Sequence, residues 1–139
     1  MHTQQQGRGE VALKVLMTPN DLNHHGTVFG GAMLSYFDIA ASGYAMEQVG
    51  SQVVLASQKD SAFLLPVFAN EYVVFYARTQ KTGRTSITVT VEAWRSRPWE
   101  GTDEDLVATA TLVMVAVNAD LRPQPIRPRP EKTPLEGAQ

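Results

Sequence analysis

The chain has 139 residues, with no cysteine, no long apolar run and no strong excess of either charge. Without cysteine it can form no disulfide and use no thiol as a nucleophile, a composition that suits a cytoplasmic protein. Nothing approaches the ~20 apolar residues of a membrane-spanning helix, and residues 1–9 lack the apolar segment of a signal peptide. Lys plus Arg number 12 against 14 for Asp plus Glu, a net charge of -2. We therefore expect neither nucleic acid nor a membrane as partner.

The length suits a single domain, long enough to bury about two thirds of the surface that its unfolded chain exposes. We place this domain at residues 10–128. Residues 1–9 are polar, and prolines recur in the tail, so we expect flexible termini at 1–9 and 129–139.

Residues 32–49 are almost all apolar or small, and a helix of that composition is expected to be buried. Its polar exceptions Ser35, Asp38 and Ser42 are spaced by three and four, so they share one stripe along the helix. Gly50 is the expected end of the helix. Carboxylates in apolar surroundings are uncommon and cluster at functional sites, which makes Asp38 a candidate catalytic group. A structural role as a solvated or hydrogen-bonding residue is the alternative.

The helix is preceded by a turn-rich segment that ends in Gly30 and Gly31. The first amides of a helix lack intrahelical partners and carry partial positive charge. Such amides suit a carbonyl oxygen that becomes negative during a reaction. The sequence therefore predicts a substrate carbonyl at this helix start.

After the helix the apolar pattern changes to a period of two, which is typical of strands. Ile87, Val89, Val91 and Ala93 alternate with polar residues, so one face of that strand is expected to be buried. One strand, a long helix and four strands suggest an α+β fold, an antiparallel sheet wrapped around the helix. The predicted strands are residues 10–17, 52–65, 71–79, 85–94 and 106–117, with hairpin residues 81–84 and a loop at 96–105.

Several motifs of the chain, in their order, resemble those of one enzyme family. The first runs from Pro19 to Gly31 and continues to Asp38, and others lie at residues 63–66, 81–86 and 115–120. Together they are similar to the acyl-CoA hydrolase family of hotdog-fold thioesterases. The resemblance implies a hotdog fold, with about five antiparallel strands around one central helix. It also implies hydrolysis of an acyl-CoA thioester to a free fatty acid and coenzyme A, without a metal or redox cofactor.

The resemblance further implies roles for single residues. Asp38 matches the catalytic carboxylate, which acts as general base or as nucleophile. Gly30 and Gly31 match the amides that hold the thioester oxygen, and Asn23 matches a loop residue that orients substrate or water. Expected substrate contacts are Thr27, Phe29, Lys81, Arg84, Thr85 and Ser86, of which the last four form a basic hairpin for the nucleotide end of coenzyme A. Thr27 departs from the Asn or Asp of some family members.

Helix geometry adds a prediction about assembly. Asp38 lies eight residues after Gly30, so it sits ~12 Å along the axis from the amides of its own helix start. One thioester carbon can hardly contact both groups. Two chains packed with antiparallel helices would bring Asp38 of one near the glycines of the other. We therefore expect a homodimer as the minimal active unit, assembled further into a tetramer or hexamer.

Two other functions remain open. Asp21 and His24 loosely resemble the Asp and His pair of hotdog-fold enoyl-CoA hydratases and dehydratases, which leave the thioester intact. A non-enzymatic acyl-CoA-binding protein, with Asp38 structural, is the third possibility. Metal binding is not expected, because adjacent His24 and His25 generally cannot face one ion and no cysteine completes a site.

Overall fold

A computed structural model describes residues 7–101 and 103–127 of the chain. The predicted flexible termini fall mostly outside these residues, as does position 128, the predicted end of the domain. The elements in chain order are β1 (Glu10–Leu16), a 3₁₀ turn (Pro19–Asp21), the long helix α1 (Gly30–Val49), β2 (Gln52–Phe63), β3 (Tyr72–Thr82), β4 (Ser86–Ser96) and β5 (Asp105–Val117).

The five strands form one sheet in the order β1-β3-β4-β5-β2, and every neighbouring pair is antiparallel. This confirms the predicted α+β architecture. Each predicted strand exists, although its ends move by one to three residues: Leu64 and Leu65 fall outside β2, whereas Lys81 and Thr82 extend β3 into the expected hairpin. β1 and β2 are the edges of the sheet.

The core lies between α1 and the face of the sheet that the helix covers. Phe37 of α1 is fully buried and meets Phe75 of β3 edge to face, with ring centroids 5.6 Å apart. The alternation predicted for β4 is confirmed, since its apolar residues are buried in this core, namely Ile87, Val89, Val91 and Ala93. Aromatic and β-branched side chains each bury a large apolar area. The packing of Phe37 and of the β4 side chains therefore holds α1 against the sheet.

The expectation that α1 is buried all round is wrong for the single chain. Ile39 and Met46 are 56% and 41% exposed. Ser35, which lies nearer the start of the helix, is exposed as well. An apolar helix stripe without cover in one chain is typical of a contact surface. Within the part of the chain that the structure describes, no helix is both long and apolar enough to cross a membrane.

The face of the sheet that points away from α1 carries a polar cluster around Tyr76. The guanidinium of Arg8 lies 3.4 Å from the ring centroid of Trp94 and pairs with Glu104, which also accepts a hydrogen bond of 2.9 Å from the Tyr76 hydroxyl. Burial, and then this bond to Glu104, raise the pKa of Tyr76. The cluster ties the segment before β1 to the outside of the sheet, away from α1.

Candidate active site

The helix begins at Gly30, two residues before the predicted start at Ala32, so both glycines lie in its first turn. Phe29 precedes it in an extended conformation and supplies no side-chain cap. The Phe29 N–H donates to the Asp21 carbonyl at 3.0 Å, and the N–H groups of Ala32 and Met33 donate to the Phe29 carbonyl at 3.1 and 3.2 Å. The amides of Gly30 and Gly31 find no acceptor among the described residues. They are therefore free to bind a ligand oxygen.

Two aromatic rings frame these glycines. A Cβ atom on Gly31 would lie 2.9 Å from the Phe29 ring, which is closer than real contacts allow. A Cβ atom on Gly30 would meet the Phe63 ring at 3.7 Å, an ordinary contact. Glycine at 31 thus lets Phe29 fold over the helix start, and Phe63 forms the opposite wall.

An apolar cavity of about 370 Å³ opens beside Gly30. Its rim is made by Phe63, Leu64 and Leu65, which are 54%, 52% and 44% exposed. These three residues belong to the motif at residues 63–66 that resembles the family, but no substrate contact was predicted for them, although an apolar run that ends at a proline is a usable signal. The cavity is lined by Val28, Gly30, Met33, Phe63, Leu64, Leu65, Pro66, Val67, Val107 and Ala108.

Asp21 anchors the loop to the helix. The Tyr36 hydroxyl donates to Asp21 Oδ1 at 2.6 Å, and the Thr18 N–H donates to Asp21 Oδ2 at 2.8 Å. The hydrogen bond to Asp21, then burial, then the charge of Asp21 raise the pKa of Tyr36 to about 12. Both carboxylate oxygens are occupied, and His24 is exposed, with its ring tilted by 42° to that of His25 at a centroid distance of 3.9 Å. This geometry disfavours Asp21 and His24 as a hydratase pair.

Asn23 and Thr27 build the turn that precedes the helix. Asn23 Oδ1 accepts hydrogen bonds from the backbone N–H groups of His25 at 2.8 Å and Thr27 at 3.2 Å. Asn23 Nδ2 donates to Thr27 Oγ1 at 3.2 Å. Both side chains are therefore engaged in shaping their own loop. Their contact with substrate or water stays a prediction.

Asp38 is half-buried on α1 and accepts a hydrogen bond of 3.1 Å from Ser42 Oγ, one turn later. Tyr36 faces β3, because its ring lies 5.9 Å from that of Phe75. Each helix residue is rotated by about 100°, so Asp38 points to the opposite flank, toward β2. Asp38 and Ser42, both half-buried, therefore lie on the flank of α1 that faces the β2 edge, whereas Ser35, the third residue of the predicted stripe, is exposed.

The basic hairpin lies far from the helix start of the same chain. Ser86 pairs with Val115, and Gln52, just after the end of α1, pairs with Val117. The turn, closed by a hydrogen bond of 2.7 Å from Gly83 N–H to the Ser86 carbonyl, is thus at the C-terminal end of α1. A helix of 20 residues spans ~30 Å. One chain does not bring exposed Lys81 and Arg84 together with Gly30.

A separate polar cavity of about 220 Å³ lies near the end of β4 and the start of β5. Its cations are paired: Arg97 Nε lies 2.7 Å from buried Glu71, Arg97 also pairs with Glu100 at 3.5 Å, and Arg95 pairs with Asp105 at 3.5 Å. We assign it no ligand. Across residues 7–101 and 103–127, no group of three or more potential ligands is arranged to hold a metal ion.

A five-stranded antiparallel sheet around one long helix, with free amides at the helix start, matches the hotdog fold that the sequence resemblance implies. The sequence pattern of the thioesterase superfamily matches residues 25–100, more than half of the chain. The chain therefore belongs to this superfamily.

Individual members of the superfamily show which proteins this chain is similar to. The acyl-CoA thioester hydrolase YciA of Salmonella typhimurium is 36% identical over 121 residues, which cover 86% of this chain and 91% of YciA. The hexameric hotdog fold thioesterase Cj0915 of Campylobacter jejuni superimposes with a TM-score of 0.79 at 33% identity, covering 86% and 92% of the two chains. An acyl-CoA hydrolase of Staphylococcus aureus, solved with butyryl coenzyme A, gives 0.77 at 28% identity over 91% of this chain and 76% of its own.

Proposed function

We propose that this protein is an acyl-CoA thioesterase that hydrolyses an acyl-CoA to a free fatty acid and coenzyme A. The observation that carries the proposal is the pair of unpartnered amides at Gly30 and Gly31 beside an apolar cavity of about 370 Å³. A polarised carbonyl next to an apolar chain is the chemistry that an acyl thioester presents. Relatives named acyl-CoA thioester hydrolases support the same activity.

In the proposed reaction the thioester oxygen accepts hydrogen bonds from the two glycine amides, which stabilise the negative charge of the tetrahedral intermediate. The acyl chain enters the cavity behind Phe63. Asp38 either removes a proton from the attacking water or attacks the thioester carbon itself, forming an anhydride that water then cleaves. In both routes a carbon–oxygen bond forms, the carbon–sulfur bond breaks and a proton goes to the departing thiolate.

The site needs two chains, because Asp38 lies ~12 Å along the axis from its own Gly30. A two-fold dimer with antiparallel helices would place Asp38 of each chain level with Gly30 of the other. The exposed stripe with Ile39 and Met46 gives this contact an apolar surface. The hexameric assembly of the Campylobacter jejuni relative supports an oligomer of this kind.

The same arrangement positions the basic hairpin. Suppose that Asp38 of one chain is level with Gly30 of its partner. Val49, where the helix of the first chain ends, is 11 residues after Asp38. It therefore lies ~16 Å along the helix axis beyond the partner's glycines. The hairpin with Lys81 and Arg84 stands at that end. We therefore assign the nucleotide end of coenzyme A to this hairpin of the partner subunit, with phosphates bound by the two cations.

A proline substitution at Gly30, compared with an alanine substitution there, tests the role of the amides. Proline is well tolerated at the first residue of a helix, and extended Phe29 suits a residue that precedes proline. Gly30→Pro should thus delete one N–H with little damage to the helix and lower kcat by roughly a hundredfold or more. Gly30→Ala keeps the N–H and should retain most activity. Equal kcat in the two variants would contradict the assignment.

Mixing two inactive variants tests the shared site. Gly30→Pro and Asp38→Asn chains, unfolded and refolded together, form mixed dimers in which one of the two sites has both native halves. Random assembly predicts recovery to about one quarter of wild-type activity. No recovery on mixing, or full activity per chain in diluted monomers, would contradict a shared site. Release of free thiol from acyl-CoA is the readout, because a hydratase or a binding protein releases none.

A further inference from the structure

Gln58 stands out on the edge strand β2. Its side-chain Nε2 is buried and has no hydrogen-bond partner. Among the residues that the structure describes, it is the one buried side-chain nitrogen or oxygen of which this is true. A buried donor that stays unpaired costs about 1–3 kcal/mol. Such an atom in a native protein points to a partner that the single chain does not contain.

The sheet register shows which way Gln58 faces. It lies directly opposite Leu112 of β5, and opposite residues of an antiparallel pair share a face. Leu112 is fully buried in the core beneath α1. Gln58 therefore points from the edge strand toward the helix, on the flank where Asp38 lies.

Gln58 and Asp38 are also at the same height. The Phe63 ring marks the level of Gly30. Gln58 lies five residues before Phe63, and one of these is the extra residue of the bulge between Lys59 and Ala62, so the distance along the strand is ~13 Å. Asp38 lies ~12 Å along the helix from Gly30. The donor and the carboxylate thus lie at a similar level and on the same flank of the helix, next to the free edge of β2.

We infer that Gln58 is a positioning residue, whose Nε2 donates a hydrogen bond to the water that Asp38 deprotonates. Ser42 already occupies Asp38 Oδ1, which leaves Oδ2 to accept a proton from that water. Water then uses one lone pair to accept from Gln58 and keeps the other for the thioester carbon. This inference rests on the proposed thioesterase function and selects its general-base route.

The test compares Gln58→Leu and Gln58→Met with wild type, using free-thiol release and urea unfolding at one protein concentration. Loss of one hydrogen bond to the attacking water should lower kcat about tenfold, equivalent to 1.4 kcal/mol, with KM changed less than twofold. Stability should stay the same or rise, because an unpaired donor has become apolar. Met, which has nearly the length of Gln, covers the case that Leu packs poorly. Gln80→Leu, a substitution at an exposed position of β3, is the matched control and should leave kcat unchanged.

Other outcomes refute the inference in distinguishable ways. Unchanged kcat in both Gln58 variants, with activity lost in Asp38→Asn, would leave the thioesterase standing and remove Gln58 from it. A fall in kcat that follows weaker subunit association would show that Nε2 binds the partner chain instead. No thiol release by wild type from any acyl-CoA would overturn both proposals.

Discussion

The hydrogen bond between Tyr36 and Asp21 should be a main support of the loop that presents Gly30. Tyr36→Phe removes the hydroxyl that donates at 2.6 Å and leaves the ring in place. Asp21 is only 8% exposed, so water cannot fully replace the lost donor. A hydrogen bond to a charged group contributes ~1.5–3 kcal/mol. We expect the free energy of unfolding to fall by about 2 kcal/mol, or Tm by about 8 °C.

The pH dependence gives this prediction a second readout. The pKa of Tyr36 is raised from 10.0 to about 12 in the folded chain, so the folded state keeps a proton that the unfolded state loses. The stabilisation is complete below pH 10 and declines as pH rises toward 12. The difference between wild type and Tyr36→Phe should therefore be constant up to about pH 10 and shrink above it. Taking the difference cancels the contribution of Tyr76, whose pKa is also raised.

Urea unfolding from pH 7 to 11.5, at fixed protein concentration, measures both quantities. Tyr44→Phe is the matched control, because its hydroxyl shares a 2.8 Å hydrogen bond with the neutral side chain of Thr79 and its loss should cost only about 1 kcal/mol. A Tyr36→Phe difference below about 0.5 kcal/mol, or one that does not shrink at alkaline pH, would show that the Asp21 bond does not hold the loop.

Three further outcomes are expected. Phe37→Ala removes a fully buried ring from the helix–sheet contact and should lower the unfolding free energy by about 3–5 kcal/mol in urea. Ser42→Ala deletes the hydrogen bond to Asp38, so kcat should fall several-fold while KM stays constant; unchanged kcat would refute this support of Asp38. Replacing Lys81 and Arg84 together by Gln should raise KM for acyl-CoA and flatten its dependence on salt, with kcat unaltered.

The local features of the candidate site could be predicted from the sequence, whereas the roles of its residues stay predictions. The Gly30-Gly31 pair and the spacing of Ser35 and Asp38 depend on neighbours within one or two helix turns, and such periodicity survives in any packing. The general outline of the sheet was predictable for the same reason, because β4 alternates cleanly.

The contacts between distant residues could not be predicted. Tyr36 and Asp21 are 15 residues apart, and nothing in either segment indicates that they meet. The inward orientation of Gln58 could not be predicted, because the pairing of β2 is irregular. The strand has register shifts on both sides of Gln58, between Leu55 and Ser57 and between Lys59 and Ala62. Because each extra residue reverses the face that later side chains take, alternation along this strand does not show which residues point inward.

The error about α1 has a physical cause that bears on the mechanism. The apolar composition of a helix reflects its burial in the assembled protein. Ile39 and Met46 are exposed here because the structure contains a single chain. In the proposed shared site, Asp38 has to reach a thioester held by another chain and must therefore lie near the surface of its own chain, where it is half-buried beside these residues. Subunit contact would then desolvate Asp38 only when the glycine amides arrive with it. Dissociation should therefore abolish turnover while leaving the fold intact, so that activity and circular dichroism separate on dilution.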